Sequence, residues 1–142
     1  MEIEVRPAVP ADAQALVPLL AELSAAAGQL SPETVARRLE DPGVRVVVGS
    51  RDGSLLGTAT LTLLTTLTEG TIGRVEDVVV SEAARGAGLG RRLMQALHTE
   101  ALRLGITKVE LTSRPSREAA NRLYQSLCYE RRETNVYRLH LP

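Results

Sequence analysis

The sequence contains no Phe, no Trp and only three Tyr among 142 residues, so the aromatic side chains that stack on nucleic-acid bases are scarce. Its formal net charge is zero, so it produces no broad electrostatic field that would attract nucleic acid or anionic membranes. The single cysteine, Cys128, allows neither an internal disulfide nor a thiolate metal cluster. These shortages predict a protein without nucleic-acid, membrane or metal partners.

Long apolar runs are also missing. No stretch approaches the roughly 18 apolar residues that a membrane-spanning helix needs. The amino terminus carries Glu2 and Glu4 where a signal peptide would carry basic residues. We therefore expect a cytoplasmic protein. A length of 142 residues predicts a single domain over residues 1–142, large enough to bury a core without disulfides or metal.

Apolar periodicity and turn signals predict the element order β-α-α-β-β-β-α-β-α-β-β. Ser31 before a proline predicts a helix start, and Asp52-Gly53 predicts a hairpin turn. Two last strands are expected, one from Tyr129 onward and one over Asn135–Leu139. The order predicts an α/β fold with a central, twisted, mixed sheet of about six to seven strands and about four flanking helices.

A glycine-rich loop separates a predicted strand, residues 72–80, from a predicted helix; it reads Arg85-Gly86-Ala87-Gly88-Leu89-Gly90-Arg91-Arg92. The glycines let successive N–H groups point at one spot beside positive charge, an arrangement that most often binds phosphate. The loop lacks the Gly-Lys-Ser/Thr ending of a Walker loop, and its position after four strands does not fit a dinucleotide fingerprint. A plain turn at a helix start is the other interpretation.

The spacing Arg85-x-x-Gly88-x-Gly90 after a strand resembles the pyrophosphate loop of the GNAT superfamily, the acyl-CoA-dependent N-acyltransferases. Asn121-x-x-Tyr124, followed by an aromatic, resembles the Asn/Tyr helix of that family. The strand Val75–Val80 resembles its counterpart in the glucosamine-phosphate N-acetyltransferase branch. The family's usual Gly-Phe after the helix is replaced here by Cys128-Tyr129, which predicts a slightly different turn.

The resemblance implies that acetyl-CoA is the acyl donor and that no metal takes part. Backbone amides of the loop would bind the pyrophosphate, and the strand backbone would pair with the pantetheine arm. Asn121 would touch the pantetheine or adenylate side. The cofactor-binding residues expected in this way are Val78, Val79, Val80, Arg85, Gly86, Ala87, Gly88, Leu89, Gly90, Arg91 and Asn121.

The resemblance also implies catalytic groups. Tyr124 would protonate or hydrogen-bond the departing CoA sulfur, and the Val78 N–H would donate to the thioester carbonyl oxygen. A base is needed because an ammonium cannot attack a thioester. Glu76 is expected to serve, directly or through a water, since strand alternation puts it on the face of Val78; Asp77, expected on the opposite face, is the reserve.

These implications predict an N-acetyltransferase that moves an acetyl group from acetyl-CoA to a primary amine by direct attack in a ternary complex. A non-catalytic acyl-CoA-binding sensor, which would keep the loop and make no use of Glu76 or Tyr124, is the alternative. The acceptor is expected to be a small-molecule or peptide amine, bound by residues of about 24–42 and 64–71 that match no known pattern. The sequence is also compatible with a homodimer.

Overall fold

The computed structural model describes residues 2–24, 27 and 29–142, and the chain divides into two compact units, Met1–Thr112 and Ser113–Pro142. The second unit contains α4 (Glu118–Ser126). In the first unit the described residues form these helices and strands: β1 (Glu4–Pro7), α1 (Ala13–Ala21), α2 (Pro32–Leu39), β2 (Val44–Arg51), β3 (Ser54–Thr66), β4 (Gly70–Val80), α3 (Leu89–Arg103) and β5 (Val109–Glu110).

The five strands form one sheet in the order β1-β2-β3-β4-β5. The first four pair antiparallel, and β5 pairs parallel to β4, which confirms the predicted α/β fold with a mixed sheet. The turn between β2 and β3 has φ of +52° at Asp52 and +80° at Gly53, as a tight hairpin turn requires. Local turn chemistry therefore sets the β2–β3 hairpin.

The prediction of six to seven strands was too high, because the two expected last strands do not form. The described residues 129–142 contain no strand. Their apolar side chains are exposed, Val136 at 71% and Tyr137 at 87%. Alternating apolar residues are only a local signal, whereas a strand also needs a partner for its backbone groups, and this segment forms no ladder.

Helices cover both faces of the sheet in the first unit. On one face, α1 and α2 build a core with the strands; its buried members are Ala13, Leu16, Leu19, Val35, Val48 and Val79. On the other face, α3 buries Leu89, Leu93 and Leu97. None of the helices in the described part of the chain is long and apolar enough to cross a membrane. The sheet is thus the middle layer of three.

A partly buried ion pair anchors the start of α1. Asp12 accepts hydrogen bonds from both terminal nitrogens of Arg6, at 2.8 and 2.9 Å, and from the Val9 N–H at 2.8 Å. These bonds favour the charged form, and the one from Arg6 contributes most to lowering the pKa of Asp12 below its ordinary value. The helix that covers one face of the sheet therefore begins at a position tied to β1.

The start of α3 is held against two glycines of the sheet. A Cβ atom at Gly49 would lie 2.6 Å from Cδ1 of Leu89, and one at Gly57 would lie 3.0 Å from Leu89 and Leu93. Leu89 is 1% exposed and has little room to move. The helix therefore approaches the sheet closely at its first residue, directly after the glycine-rich loop.

We expect Gly49→Ala to lower the free energy of unfolding by about 1–3 kcal/mol, because the new methyl overpacks against Leu89. Urea denaturation followed by circular dichroism measures the change. Leu89→Val in the same chain should recover part of the loss, since it removes the nearest atoms. Strictly additive costs of the two substitutions would contradict this contact.

Candidate active site

A β-bulge interrupts β4 at the two acidic residues. Thr58 of β3 pairs with Val79, but Thr60 pairs with Glu76, so the one residue between the threonines lies opposite both Asp77 and Val78. Asp77 has φ of +52°, in the left-handed region that side chains other than glycine rarely adopt. The bulge therefore places local backbone strain beside the expected base.

The bulge changes which face each side chain occupies. By simple alternation Asp77 was expected to point away from Glu76, and this prediction was wrong: both side chains line the same cavity. The extra residue cancels one step of the two-residue period, so Glu76 and Val79 also share that face. Either carboxylate can therefore interact with a molecule bound in that cavity.

We call this space the α1–α2 cavity. It has a volume of about 520 Å³ and lies between the two helices and the sheet. Its strand-side lining is Val44, Val46, Thr58, Thr60, Thr62, Glu76 and Asp77. Its helix-side lining comes from α1, α2 and the segment that joins them, part of the 24–42 region expected to bind an acceptor; residues 64–71 do not line it.

The two carboxylates differ in their surroundings. Glu76 accepts a hydrogen bond from Nε of Arg74 at 2.8 Å and forms an ion pair with it. None of the ion pairs found among the described residues involves Asp77. Desolvation, and then the charge of Glu76, raise the pKa of Asp77 above its ordinary value, while the charge of Arg38 opposes them. Asp77 therefore binds a proton more readily than an ordinary aspartate.

The glycine-rich loop follows β4 through a short 3-10 turn. Gly86 and Gly88 have φ of +84° and +77°, and Gly88 is the N-cap of α3. A Cβ atom at either position would meet nothing within 4 Å, so these residues are glycine for backbone freedom and not for lack of space. The first helical bond of α3 runs from the Arg92 N–H to the Gly88 carbonyl, and the amides before it have no acceptor within the helix.

Two arginines of the loop are fixed by backbone carbonyls. Nε of Arg85 donates to the Val80 carbonyl at 3.3 Å, and a terminal nitrogen of Arg92 donates to the Ile3 carbonyl at 2.7 Å. Positive charge, helix-start amides and left-handed glycines therefore occur together. The loop has the features of an anion site.

The parallel ladder between β4 and β5 is short. Its pairs are Gly73 with Val109 and Arg74 with Glu110, whereas β4 continues to Val80. Among the described residues of the first unit, the later part of β4 thus has β3 on one edge and no strand beside it on the other. The expected strand residues Val78, Val79 and Val80 lie in this part, between the bulge and the loop.

The second unit carries the remaining expected site residues on α4. The side-chain nitrogen of Asn121 donates to the Arg114 carbonyl at 2.9 Å, which holds the turn before the helix. Tyr124 is 6% exposed, and its ring lies edge-on to Tyr129 with centroids 6.0 Å apart. Desolvation raises the pKa of Tyr124, so its hydroxyl keeps its proton at neutral pH.

The turn after α4 ends in a left-handed residue. Cys128 has φ of +71°, and its N–H donates to the Gln125 carbonyl while the Tyr129 N–H donates to the Tyr124 carbonyl. This is a helix end at which glycine is favoured. Cys128 is exposed, not buried as a small apolar residue would be. Its backbone keeps the glycine-like conformation at the cost of strain.

Comparisons with known proteins agree on one family. The model of the acetyltransferase (GNAT) family matches residues 15–128. A curated relative from Azospirillum brasilense, described as IAA acetyltransferase, is 31% identical over 102 residues; the match covers 68% of this chain and 65% of that relative's length.

Solved structures extend the likeness to the whole chain. A Trypanosoma brucei acetyltransferase is 30% identical, with a TM-score of 0.84 and coverage of 99% of this chain and 100% of that one. Glucosamine-6-phosphate N-acetyltransferase from Arabidopsis thaliana also has a TM-score of 0.84, at 20% identity and coverage of 98% and 99%; at that identity the likeness shows the fold.

We expect Cys128→Gly to raise the free energy of unfolding by about 0.5–1 kcal/mol, because glycine adopts the left-handed conformation without strain. All three tyrosines lie in the second unit, so tyrosine fluorescence during urea denaturation reports on that unit. Cys128→Ala is the matched control and should give no gain. An equal gain from both would locate the effect in the sulfur and not in the backbone.

Proposed function

The chain belongs to the GNAT family of acetyltransferases, and on that premise we propose that it transfers an acetyl group from acetyl-CoA to a primary amine by direct attack in a ternary complex. The proposal rests on the order of three features along β4 and the loop that follows it. The acidic bulge, a strand edge without a partner in the first unit and the glycine-rich loop follow one another without interruption.

The loop and the strand edge have the chemistry that CoA binding requires. Acetyl-CoA supplies the acetyl group as an activated thioester. In our proposal the amides from Gly86 through Arg91 hold the pyrophosphate at the start of α3, since the Arg85 N–H already donates to the Glu82 carbonyl, and Val78–Val80 offer backbone groups to the pantetheine arm. The Val78 N–H donates to the carbonyl oxygen on which negative charge grows.

We propose Asp77 as the base ahead of Glu76. The sequence favoured Glu76, but its carboxylate is already hydrogen-bonded to Arg74 and forms an ion pair with it. Asp77 has no such partner among the described ion pairs, and its raised pKa brings it nearer to neutral pH. It accepts the proton of the bound ammonium, directly or through a water.

We propose that Tyr124 supplies the proton that the departing sulfur needs. Its pKa is raised by desolvation, with the charge of Arg117 opposing, so the hydroxyl is a donor throughout the neutral range. Proximity supplies much of the remaining rate enhancement, since the protein holds both reactants together.

Binding and turnover of the purified protein test the proposal. Acetyl-CoA at 100 times its dissociation constant should stabilise the protein by about 2.7 kcal/mol, with a smaller effect from ADP. Thiol release should follow on addition of a reactive amine. Tyr124→Phe should lower kcat while the thermal shift with acetyl-CoA stays the same. A thermal shift without thiol release from any of a broad panel of amines would favour the acyl-CoA-binding sensor.

The pH dependence of kcat identifies the base. If Asp77 is the base, kcat falls at low pH because the carboxylate becomes protonated. The pH at which this acidic limb lies depends on the charged groups near Asp77. Arg38→Gln removes a charge that lowers the pKa of Asp77, so the limb should move to higher pH; Glu76→Gln should move it to lower pH. Opposite shifts in the two variants are the expected signature.

Two further variants complete this test. Asp77→Asn should abolish most of the turnover. Arg37→Gln, a neighbouring arginine of α2 outside the cavity lining, should leave the limb where it is. Loss of turnover in Glu76→Gln, with activity retained in Asp77→Asn, would reverse the assignment.

A further inference from the structure

The helix side of the α1–α2 cavity is a wall of leucines. Leu16, Leu20, Leu23, Leu30 and Leu39 all line it. Leu16 is buried in the core, whereas the other four are only partly buried against that core. Their remaining apolar surface lines the cavity, and an apolar group bound there would shield it from water.

The same cavity also has acidic lining residues. Asp41, Glu76 and Asp77 line it together with one cation, Arg38, so negative charge is in excess. Asp41 accepts a hydrogen bond from the Gly43 N–H at 2.7 Å, and Glu76 is paired with Arg74. Asp77 is therefore the carboxylate best able to receive a cation from the cavity.

We infer that the acceptor is a small apolar amine: a primary ammonium on a branched aliphatic or aromatic body, with the ammonium at Asp77 and the body against the leucines. This inference rests on the proposed function and names the substrate class of the same site. A volume of about 520 Å³ is within the range of pockets that enclose small molecules.

A polyhydroxylated amine suits this lining less well than an apolar amine does, because the uncharged polar side chains of the lining are limited to Ser24 and the three threonines Thr58, Thr60 and Thr62. The hydroxyl groups of an amino sugar would lie against leucine side chains that offer no hydrogen bond, and burying them unpaired is unfavourable. Thr58 contributes little, because its hydroxyl already donates to the Val47 carbonyl at 2.9 Å. The cavity therefore favours apolar amines over amino sugars, although the Arabidopsis structural neighbour is a glucosamine-6-phosphate enzyme.

A homologous series of amines isolates the apolar contribution. Ethylamine, propylamine, butylamine and isopentylamine have nearly the same basicity and differ in apolar size. With acetyl-CoA saturating, kcat/KM should rise about 4-fold for each added carbon, or roughly 60-fold across the series. 2-Phenylethylamine should match the upper end, and glucosamine 6-phosphate, an aminoglycoside and a lysine peptide should fall below isopentylamine.

Leu39→Gln tests the wall itself. It should flatten the series by about 10-fold, because the loss in kcat/KM grows with the apolar size of the amine. Leu102→Gln is the matched control, because Leu102 is 70% exposed on α3 and lies outside the cavity lining; its series should be unchanged. The series on the unsubstituted protein remains decisive even if Leu39→Gln folds poorly.

The possible results separate this inference from the proposed function. A flat series, or better turnover of the sugar or peptide, overturns the inference and leaves the acetyl transfer standing. If no amine reacts, calorimetry on the CoA-loaded protein decides: tighter binding of isopentylamine than of ethylamine supports the apolar site although transfer has failed. Equal or absent binding of the two overturns the inference as well.

Discussion

One extra residue in β4 decides how the candidate site is arranged. Since β3 and β4 pair on both sides of the bulge, the chain accommodates the extra residue by placing Asp77 in a left-handed conformation. Both acidic side chains then reach the α1–α2 cavity, and Val79 packs into the core on the same face. In a regular strand Asp77 would point to the α3 face, away from the cavity.

The loop depends on a second constraint, the close approach of α3 to the sheet. Leu89 packs over Gly49 and Gly57, which fixes where the helix begins. Its preceding glycines have no neighbours that a Cβ would strike, so their role is the shape of the backbone. A tightly packed helix start thus supports a loop with left-handed glycines, an arrangement suited to holding an anion in a defined position.

The electrostatic surroundings of Asp77, the proposed base, disfavour its ionised form. Asp77 is strained, and its pKa is raised, so its ionised form is less favourable in the folded chain than in the unfolded one. Folding therefore gains nothing from this carboxylate at neutral pH. A raised pKa is what the proposed role of Asp77 as a proton acceptor requires.

Short-range signals in the sequence were sufficient for much of this structure. Ser31 caps α2 by accepting from the Thr34 N–H, and Asp52-Gly53 forms the hairpin turn, because each depends on residues only a few positions apart. The glycine spacing likewise predicted the loop. The expected strands after residue 129 failed because alternation does not supply a pairing partner. The ion pair between Arg74 and Glu76 is also local, since the two residues lie two positions apart on β4. The bulge and the leucine wall arise from the register of β3 against β4 and from helix packing, and these long-range contacts only the tertiary structure decides, because they join residues far apart in the chain.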